Sequence, residues 1–315
     1  MKIVILDKST LGEDIDLSPI KALGETEIFG NTSKDEVANR VTDCDVVIVN
    51  KIKLGEQNLK NAKNLKLICV AATGYDNIDT DYCNARNIAV CNVPGYSTDS
   101  VAQTTVTIAL ALVSHLNEYC EFVNSGKYTE SGVANRLIPV YHDLAGKTWG
   151  VVGGGNIGNK VAEIASAFGC KIQVCRRKSE GNYPVVDIDT LCKTSDIISI
   201  HTPLTDSTKN LISKDRIGSM KKDVIIVNTA RGLVTDEKAI ADAVLSGEIG
   251  GFGTDVYSVE PFGTDHPFNE LRNNKNVIMT PHMAWGSYES RSRCVKMMAE
   301  NIENFIKGKT HNRIV

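Results

Sequence analysis

Trp149-Gly150-Val151-Val152 runs directly into Gly153-Gly154-Gly155-Asn156-Ile157-Gly158, and a helical pattern follows from Lys160 to Phe168. An apolar β-type run, a G-x-G-x-x-G turn and a helix therefore stand in the order required to seat a dinucleotide. Each glycine has a physical task. Gly153 permits the tight turn, Gly155 lets a diphosphate approach the backbone, and Gly158 lets helix and strand pack closely. The N-terminus of the helix offers unpaired N–H groups and a positive dipole end to the anion. The bland alternative is a structural βα turn with no ligand.

The next β-type run, Lys171 to Cys175, ends in Arg176-Arg177-Lys178. An NAD site needs an acidic residue at this place to bond the adenosine 2′-hydroxyl. Guanidinium groups instead match a 2′-phosphate and stack on adenine, with Lys178 as an added point charge. NADPH is therefore favoured over NADH. A solvated basic turn is the competing reading.

Outward from this unit, short apolar runs alternate with helical stretches along the whole chain. They are Lys2 to Leu6, Val46 to Val49, Leu67 to Val70, Ala89 to Asn92, Trp149 to Val152, Lys171 to Cys175, Ile197 to Ile200, Val224 to Asn228, Gly251 to Val256 and Val277 to Thr280. Such alternation implies parallel sheets with right-handed crossovers. The runs are continuously apolar, as in Val224-Ile225-Ile226-Val227, which fits strands covered by helices on both faces. At 315 residues the chain exceeds what one core usually supports. The expected architecture is α/β, with two doubly wound parallel-sheet domains and a cleft between them. The pattern breaks after Asn92-Val93-Pro94-Gly95, where a long apolar helix begins near Asp99, and again near Trp285-Gly286. Domain limits are accordingly expected at 1–98 plus 286–315 for one domain and 99–285 for the dinucleotide-binding one.

Composition excludes several classes. Apolar residues make up 42% and charged residues 23%, so the chain is neither disordered nor fibrous. A formal charge of -3 gives no basic excess for nucleic acid. No apolar run is long enough to span a bilayer, and Met1 to Thr10 reads as a first strand rather than a leader. The nine cysteines include no CxxC pair, so reduced core thiols in a cytoplasmic protein are expected, with no metal site.

Three further segments carry ionisable residues just after strand ends, the edge of a doubly wound sheet where ligands bind. Arg231 in Asn228-Thr229-Ala230-Arg231-Gly232 can fork onto a substrate carboxylate and polarise its ketone. Hydride transfer to a ketone leaves an alkoxide that needs a proton, and His282 in Thr280-Pro281-His282 is the candidate donor. Glu260, in Asp255-Val256-Tyr257-Ser258-Val259-Glu260-Pro261, can bond the other ring nitrogen and favour the protonated imidazole. Taken singly, Arg231 could cap a helix, Glu260 could be a surface acid and His282 a satisfied core histidine.

Together these segments resemble the D-isomer-specific 2-hydroxyacid dehydrogenase family. Ala72-Thr73-Gly74-Tyr75-Asp76-Asn77-Ile78-Asp79, Asn92-Val93-Pro94-Gly95-Tyr96-Ser97-Thr98, Val101-Ala102-Gln103 and Thr202-Pro203-Leu204-Thr205 add to the likeness, which covers essentially the whole chain. The resemblance implies a Rossmann-type cofactor domain, a flavodoxin-like substrate domain, and a catalytic set of Arg231, Glu260 and His282. It implies cofactor contacts at Asn156, Ile157, Arg176, Thr202, Pro203, Thr208, Thr229, Ala230 and Asp255, the last facing the nicotinamide. Thr73 and Gly74 would hold the substrate carboxylate through backbone N–H groups. Asn50-Lys51 and Ala284-Trp285 are similar to the glycerate dehydrogenase or hydroxypyruvate reductase branch, so Asn50, Lys51 and Trp285 join Arg231 and His282 as expected substrate contacts. The basic Arg176 departs from the acid often found in that branch. A homodimer formed through the cofactor domain, with the helix from Asp99 to Leu116 as contact, is also implied. Two rival readings stand: a reductase of bulkier branched or aromatic 2-keto acids, and a non-enzymatic dinucleotide-sensing protein of the corepressor type.

Overall fold

The computed structural model describes residues 1–177 and 181–315; Lys178, one of the three cations after the second strand of the glycine-loop unit, lies outside the described residues. Two compact units form, Met1–Ser97 with Trp285–Val315, and Thr98–Ala284.

The first unit is a five-stranded parallel sheet of β1 (Lys2–Ile5), β2 (Glu25–Ile28), β3 (Val46–Val49), β4 (Leu67–Val70) and β5 (Ala89–Cys91), in the order β2-β1-β3-β4-β5. This is the flavodoxin-like order, with its switch point between β1 and β3. The strands β3 and β4 are buried at every position because helices cover both faces. A strand was not expected at Glu25–Ile28. It is an edge strand whose residues alternate exposed and half-buried, and its two glutamates disguise it.

The helix Tyr288–Ile306 starts at Ser287, whose hydroxyl accepts the Ser290 N–H, and buries Cys294, Val295, Met298, Ala299 and Ile302 against the core of this unit. Beyond the helix, the Ile314 N–H donates to the Val90 carbonyl and the Val90 N–H to the Val315 carbonyl, so the tail covers the open edge of β5.

The second unit holds β6 (Thr148–Val152), β7 (Lys171–Cys175), β8 (Ile197–Ile200), β9 (Ile225–Asn228), β10 (Gly251–Thr254) and β11 (Val277–Met279), in the order β11-β10-β9-β8-β6-β7 and all parallel. Val185 adds one parallel bridge to Val174 outside β7. That bridge stands where a third strand would complete the Rossmann order. Trp149 is fully buried in β6 with its indole N–H bonded to the Ser199 hydroxyl at 2.9 Å, which satisfies the polar end of the largest core side chain.

The long apolar helix spans Thr98–Val113 and stops before Leu116, because His115 takes a left-handed conformation at φ 50° and begins a second helix, Leu116–Asn124. Eight residues of the first helix are buried in the unit. No helix among the described residues is long and apolar enough to cross a membrane.

Candidate active site

All three expected catalytic residues lie in the second unit, past the C-terminal ends of the neighbouring strands β9, β10 and β11, whose registers align Thr254 with both Asn228 and Met279. At the end of β9 the fully buried Asn228 clamps the turn. Its side-chain oxygen accepts the Ala230 N–H at 3.0 Å and its amide donates to the Arg231 carbonyl at 2.9 Å. Arg231 also donates from Nη1 to the Ala230 carbonyl.

Gly232 follows, and a Cβ there would lie 2.1 Å from the Tyr257 carbonyl carbon and 2.3 Å from the Ser258 nitrogen. Only glycine lets the segment after β10 come this close to the Arg231 turn. In that segment the Tyr257 N–H donates to Glu260 Oε1 at 3.0 Å, and Glu260 Oε2 lies 2.5 Å from His282 Nδ1. The side chains of His282 and Glu260 are 25% and 31% exposed, so water reaches the pair while neither group is fully solvated.

His282 itself has φ 53°, a left-handed backbone that a non-glycine residue adopts at some cost. The surroundings hold it there. Asp255, 1% exposed, accepts the Thr280 hydroxyl at 2.6 Å and the N–H groups of Met283 and Ala284 at 2.8 Å each. Asp255, expected to face the nicotinamide, has both of its oxygens taken up by the loop that carries the histidine. Tyr257 ties the two segments together by donating its hydroxyl to the Thr280 carbonyl, and burial together with the nearby carboxylates of Asp255, Glu260 and Glu237 pushes its phenol up to about 12.

The glycine loop stands between β6 and the helix Asn156–Ala167. A Cβ at Gly158 would fall 1.9 Å from the Gly153 carbonyl oxygen, so this position fixes how closely helix meets turn, whereas a Cβ at Gly155 would meet nothing within 4 Å. Open space over Gly155, with Asn156 and Ile157 in the first helical turn, fits a diphosphate.

Arg176 turns its guanidinium between Gly154 and Gly181, with Nε and Nη2 buried and without a hydrogen-bond partner among the described residues. Buried donors with no partner among the described residues suit an anionic ligand. Arg177 reaches to 3.5 Å from the Ser207 hydroxyl. Thr202 and Pro203 follow β8; the Thr208 hydroxyl donates to the Pro203 carbonyl at 2.7 Å and accepts the Thr205 N–H, so its side chain closes the turn. Thr229 and Ala230 line the end of β9, and the Thr229 hydroxyl bonds to Thr105. Beside Gly153, His201 is half-buried, with its Nε2 buried and lacking a partner among the described residues; desolvation drives its pKa down to about 3, so the imidazole is neutral.

The remaining substrate candidates lie in the first unit. Asn50 and Lys51 follow β3, and their N–H groups donate to the buried Asp7 carboxylate at 3.0 and 2.7 Å. Desolvation raises the Asp7 pKa against the lowering effect of those bonds. The Asn50 amide donates to the Thr10 hydroxyl, so this side chain is engaged within its own unit. Thr73 and Gly74 follow β4; the Thr73 hydroxyl donates to Val93 and its carbonyl accepts the Asn92 amide. Trp285 packs edge-on against Tyr96 at 6.1 Å between ring centroids.

Sequence reasoning did not single out Glu237 and His266. Glu237 follows Asp236 at the start of the helix Glu237–Ser246, where an acid reads as an ordinary helix-start signal. No cluster of His, Cys, Asp and Glu suited to a metal occurs among the described residues.

A family described as D-isomer specific 2-hydroxyacid dehydrogenase, NAD binding domain, matches residues 106–284. A hydroxypyruvate reductase of Blautia hydrogenotrophica is 34% identical, covering 99% of this chain and 99% of that protein. Among solved structures, an acyclic imino acid reductase in complex with NADPH and D-arginine superposes with a TM-score of 0.88 at 30% identity, over 100% of both chains. A D-lactate dehydrogenase of Aquifex aeolicus complexed with NAD and lactic acid does so with a TM-score of 0.86 at 31% identity, over 98% of this chain and 96% of that one. Glycine loop, arginine turn and His–Glu pair thus sit on a fold and a sequence shared along the full length, and the chain belongs to the D-isomer specific 2-hydroxyacid dehydrogenase family.

Proposed function

We propose that this oxidoreductase reduces a small 2-keto acid, hydroxypyruvate or glyoxylate, to the D-2-hydroxy acid in the cytoplasm, with NADPH preferred to NADH. The observation that carries the reading is the 2.5 Å contact between Glu260 and His282 beside the arginine turn. A reduced nicotinamide dinucleotide held through its diphosphate at the glycine loop would supply the hydride. Arg231 pairs with the substrate carboxylate and polarises the ketone, stabilising negative charge as it develops on oxygen. Glu260 engages His282 at Nδ1, so Nε2 delivers the proton to the alkoxide and the ring passes from imidazolium to imidazole. The branch likeness and Trp285 favour a small polar acid over a bulky one.

The cofactor preference rests on Arg176 and Arg177. Kinetics with both cofactors and with hydroxypyruvate, glyoxylate, pyruvate and bulkier 2-keto acids test it directly. NADPH should give the higher kcat/KM, and Arg176→Asp combined with Arg177→Asn should shift the preference toward NADH by about 100-fold, as loss of charge-assisted contacts to a 2′-phosphate requires. A wild-type preference for NADH contradicts the cofactor assignment. Highest kcat/KM with branched or aromatic acids contradicts the substrate assignment.

The same reading includes a homodimer, in which a second copy of this chain covers the apolar surface of residues 116–141. Val123, Leu137, Ile138, Val140 and Tyr141 are 55 to 74% exposed there, an unusual concentration for a monomer surface. The helix Thr98–Val113, expected as the contact, also contributes to the core of its own unit. Sedimentation should give twice the chain mass, and Leu137→Asp with Val140→Asp should give monomers; a monomeric wild type contradicts this assignment.

A further inference from the structure

A second acid–histidine pair lies behind the first. Glu237 and His266 are almost wholly buried, with side chains 9% and 7% exposed, and His266 Nε2 is 2.9 Å from Glu237 Oε2. The tautomer follows from the other ring nitrogen. His266 Nδ1 accepts the Phe268 N–H at 3.2 Å, so the proton is on Nε2, which donates to Glu237. The remaining oxygen, Glu237 Oε1, accepts the Ser258 N–H at 2.8 Å. Phe262 and Phe268 flank the imidazole at 4.7 and 5.0 Å between centroids, and Tyr257 meets it edge-on at 6.2 Å.

Successive peptide N–H groups are thereby aimed at two different carboxylates. That of Tyr257 holds Glu260, and that of Ser258 is held by Glu237. Burying a carboxylate and an imidazole is costly, and apolar packing could anchor a loop of this length without it. What the pair adds is direction: it fixes the peptide adjoining the one that orients Glu260.

We infer that Glu237 and His266 are positioning residues which, through Ser258 and Tyr257, hold the Glu260 carboxylate on His282 Nδ1 and so set how strongly His282 keeps its proton. The inference rests on the proposed reading of His282 as proton donor. Ionisable groups around His282 and its loop include Glu260, Asp255 bonded to the loop and Tyr257 bonded to Thr280, with Arg231 past the end of β9, two strands from β11. Glu260 Oε2 meets the ring at Nδ1, and the Tyr257 N–H, on the peptide next to the one that Glu237 holds at Ser258, orients Glu260 through Oε1.

Glu237→Ala tests this. Reduction needs protonated His282, so activity falls as pH rises through its pKa. With Glu260 released, the imidazolium loses its oriented counter-charge and the fall should begin at lower pH. We expect kcat to drop on the order of 10-fold with KM for the cofactor nearly unchanged, as for a small misplacement of a catalytic group. In an enzyme already carrying Glu260→Gln, Glu237→Ala should add nothing further to kcat or to the pH midpoint. An unchanged pH profile, or a loss that adds fully on top of Glu260→Gln, overturns the inference. Should Glu237→Ala not fold, His266→Gln cuts one bond of the pair, leaves Glu237 with Ser258, and should produce the same shift in smaller measure. Titration of the His282 ring C–H resonance by NMR needs no turnover: a lowered His282 pKa in the variant supports the inference even if the substrate reading fails, and an unchanged one overturns it even if that reading holds.

Discussion

His282→Gln should lower kcat for keto-acid reduction by about 10³-fold while the Kd for the dinucleotide stays within about twofold. The glutamine side chain can still occupy the space and accept or donate a hydrogen bond, but it cannot release a proton to an alkoxide. The loop need not collapse. Its shape is held by Asp255 through Thr280, Met283 and Ala284, none of which the substitution removes. Some backbone strain at φ 53° is carried over to glutamine, so a thermal melt should accompany the kinetics. Steady-state rates over a pH series would show the sloping limb of the wild type flattened, since the titrating donor is gone. If cofactor affinity fell as far as kcat, His282 would be holding the dinucleotide region together and the proton-donor role would be lost.

Arg231→Gln should reduce kcat/KM for the keto acid by about 10³-fold, with both a higher KM and a lower kcat. Two effects combine. A guanidinium forked onto a carboxylate contributes in the ground state, and its charge near the ketone oxygen contributes more as that oxygen becomes an alkoxide. Arg231→Lys separates them. It retains the charge but not the planar fork, so it should recover part of kcat and little of KM. The turn itself should survive both changes, because Asn228 bonds the Ala230 N–H and the Arg231 carbonyl rather than the guanidinium. An Arg231→Gln enzyme with normal KM would show that the carboxylate is held elsewhere.

Much of this site is legible in the sequence because its parts are local. A glycine loop follows its own strand, and Arg231, Glu260 and His282 each stand a few residues past a continuous apolar run, so neighbouring parallel strands suffice to bring their segments together. What sequence alone does not reveal is nonlocal or ambiguous. Asp7 reaches Asn50 and Lys51 across 43 and 44 residues, and Glu237 reaches His266 across 29. No spacing rule encodes such partners. Glu25–Ile28 is missed because glutamates at an edge strand suppress the apolar signal. The apolar residues between 116 and 141 invite an inward reading, yet lie on the surface, since hydrophobicity indicates a tendency to be covered without saying by what. His115 ends the long helix through a left-handed backbone that nothing in its neighbours announces.

The most direct measurement follows the absorbance of reduced nicotinamide while hydroxypyruvate is offered to the purified protein, and then resolves the glycerate formed by configuration. Loss of one NADPH for each D-glycerate produced is the expected result. No consumption of either reduced cofactor with hydroxypyruvate, glyoxylate or any other 2-keto acid, or formation of the L isomer, would contradict it.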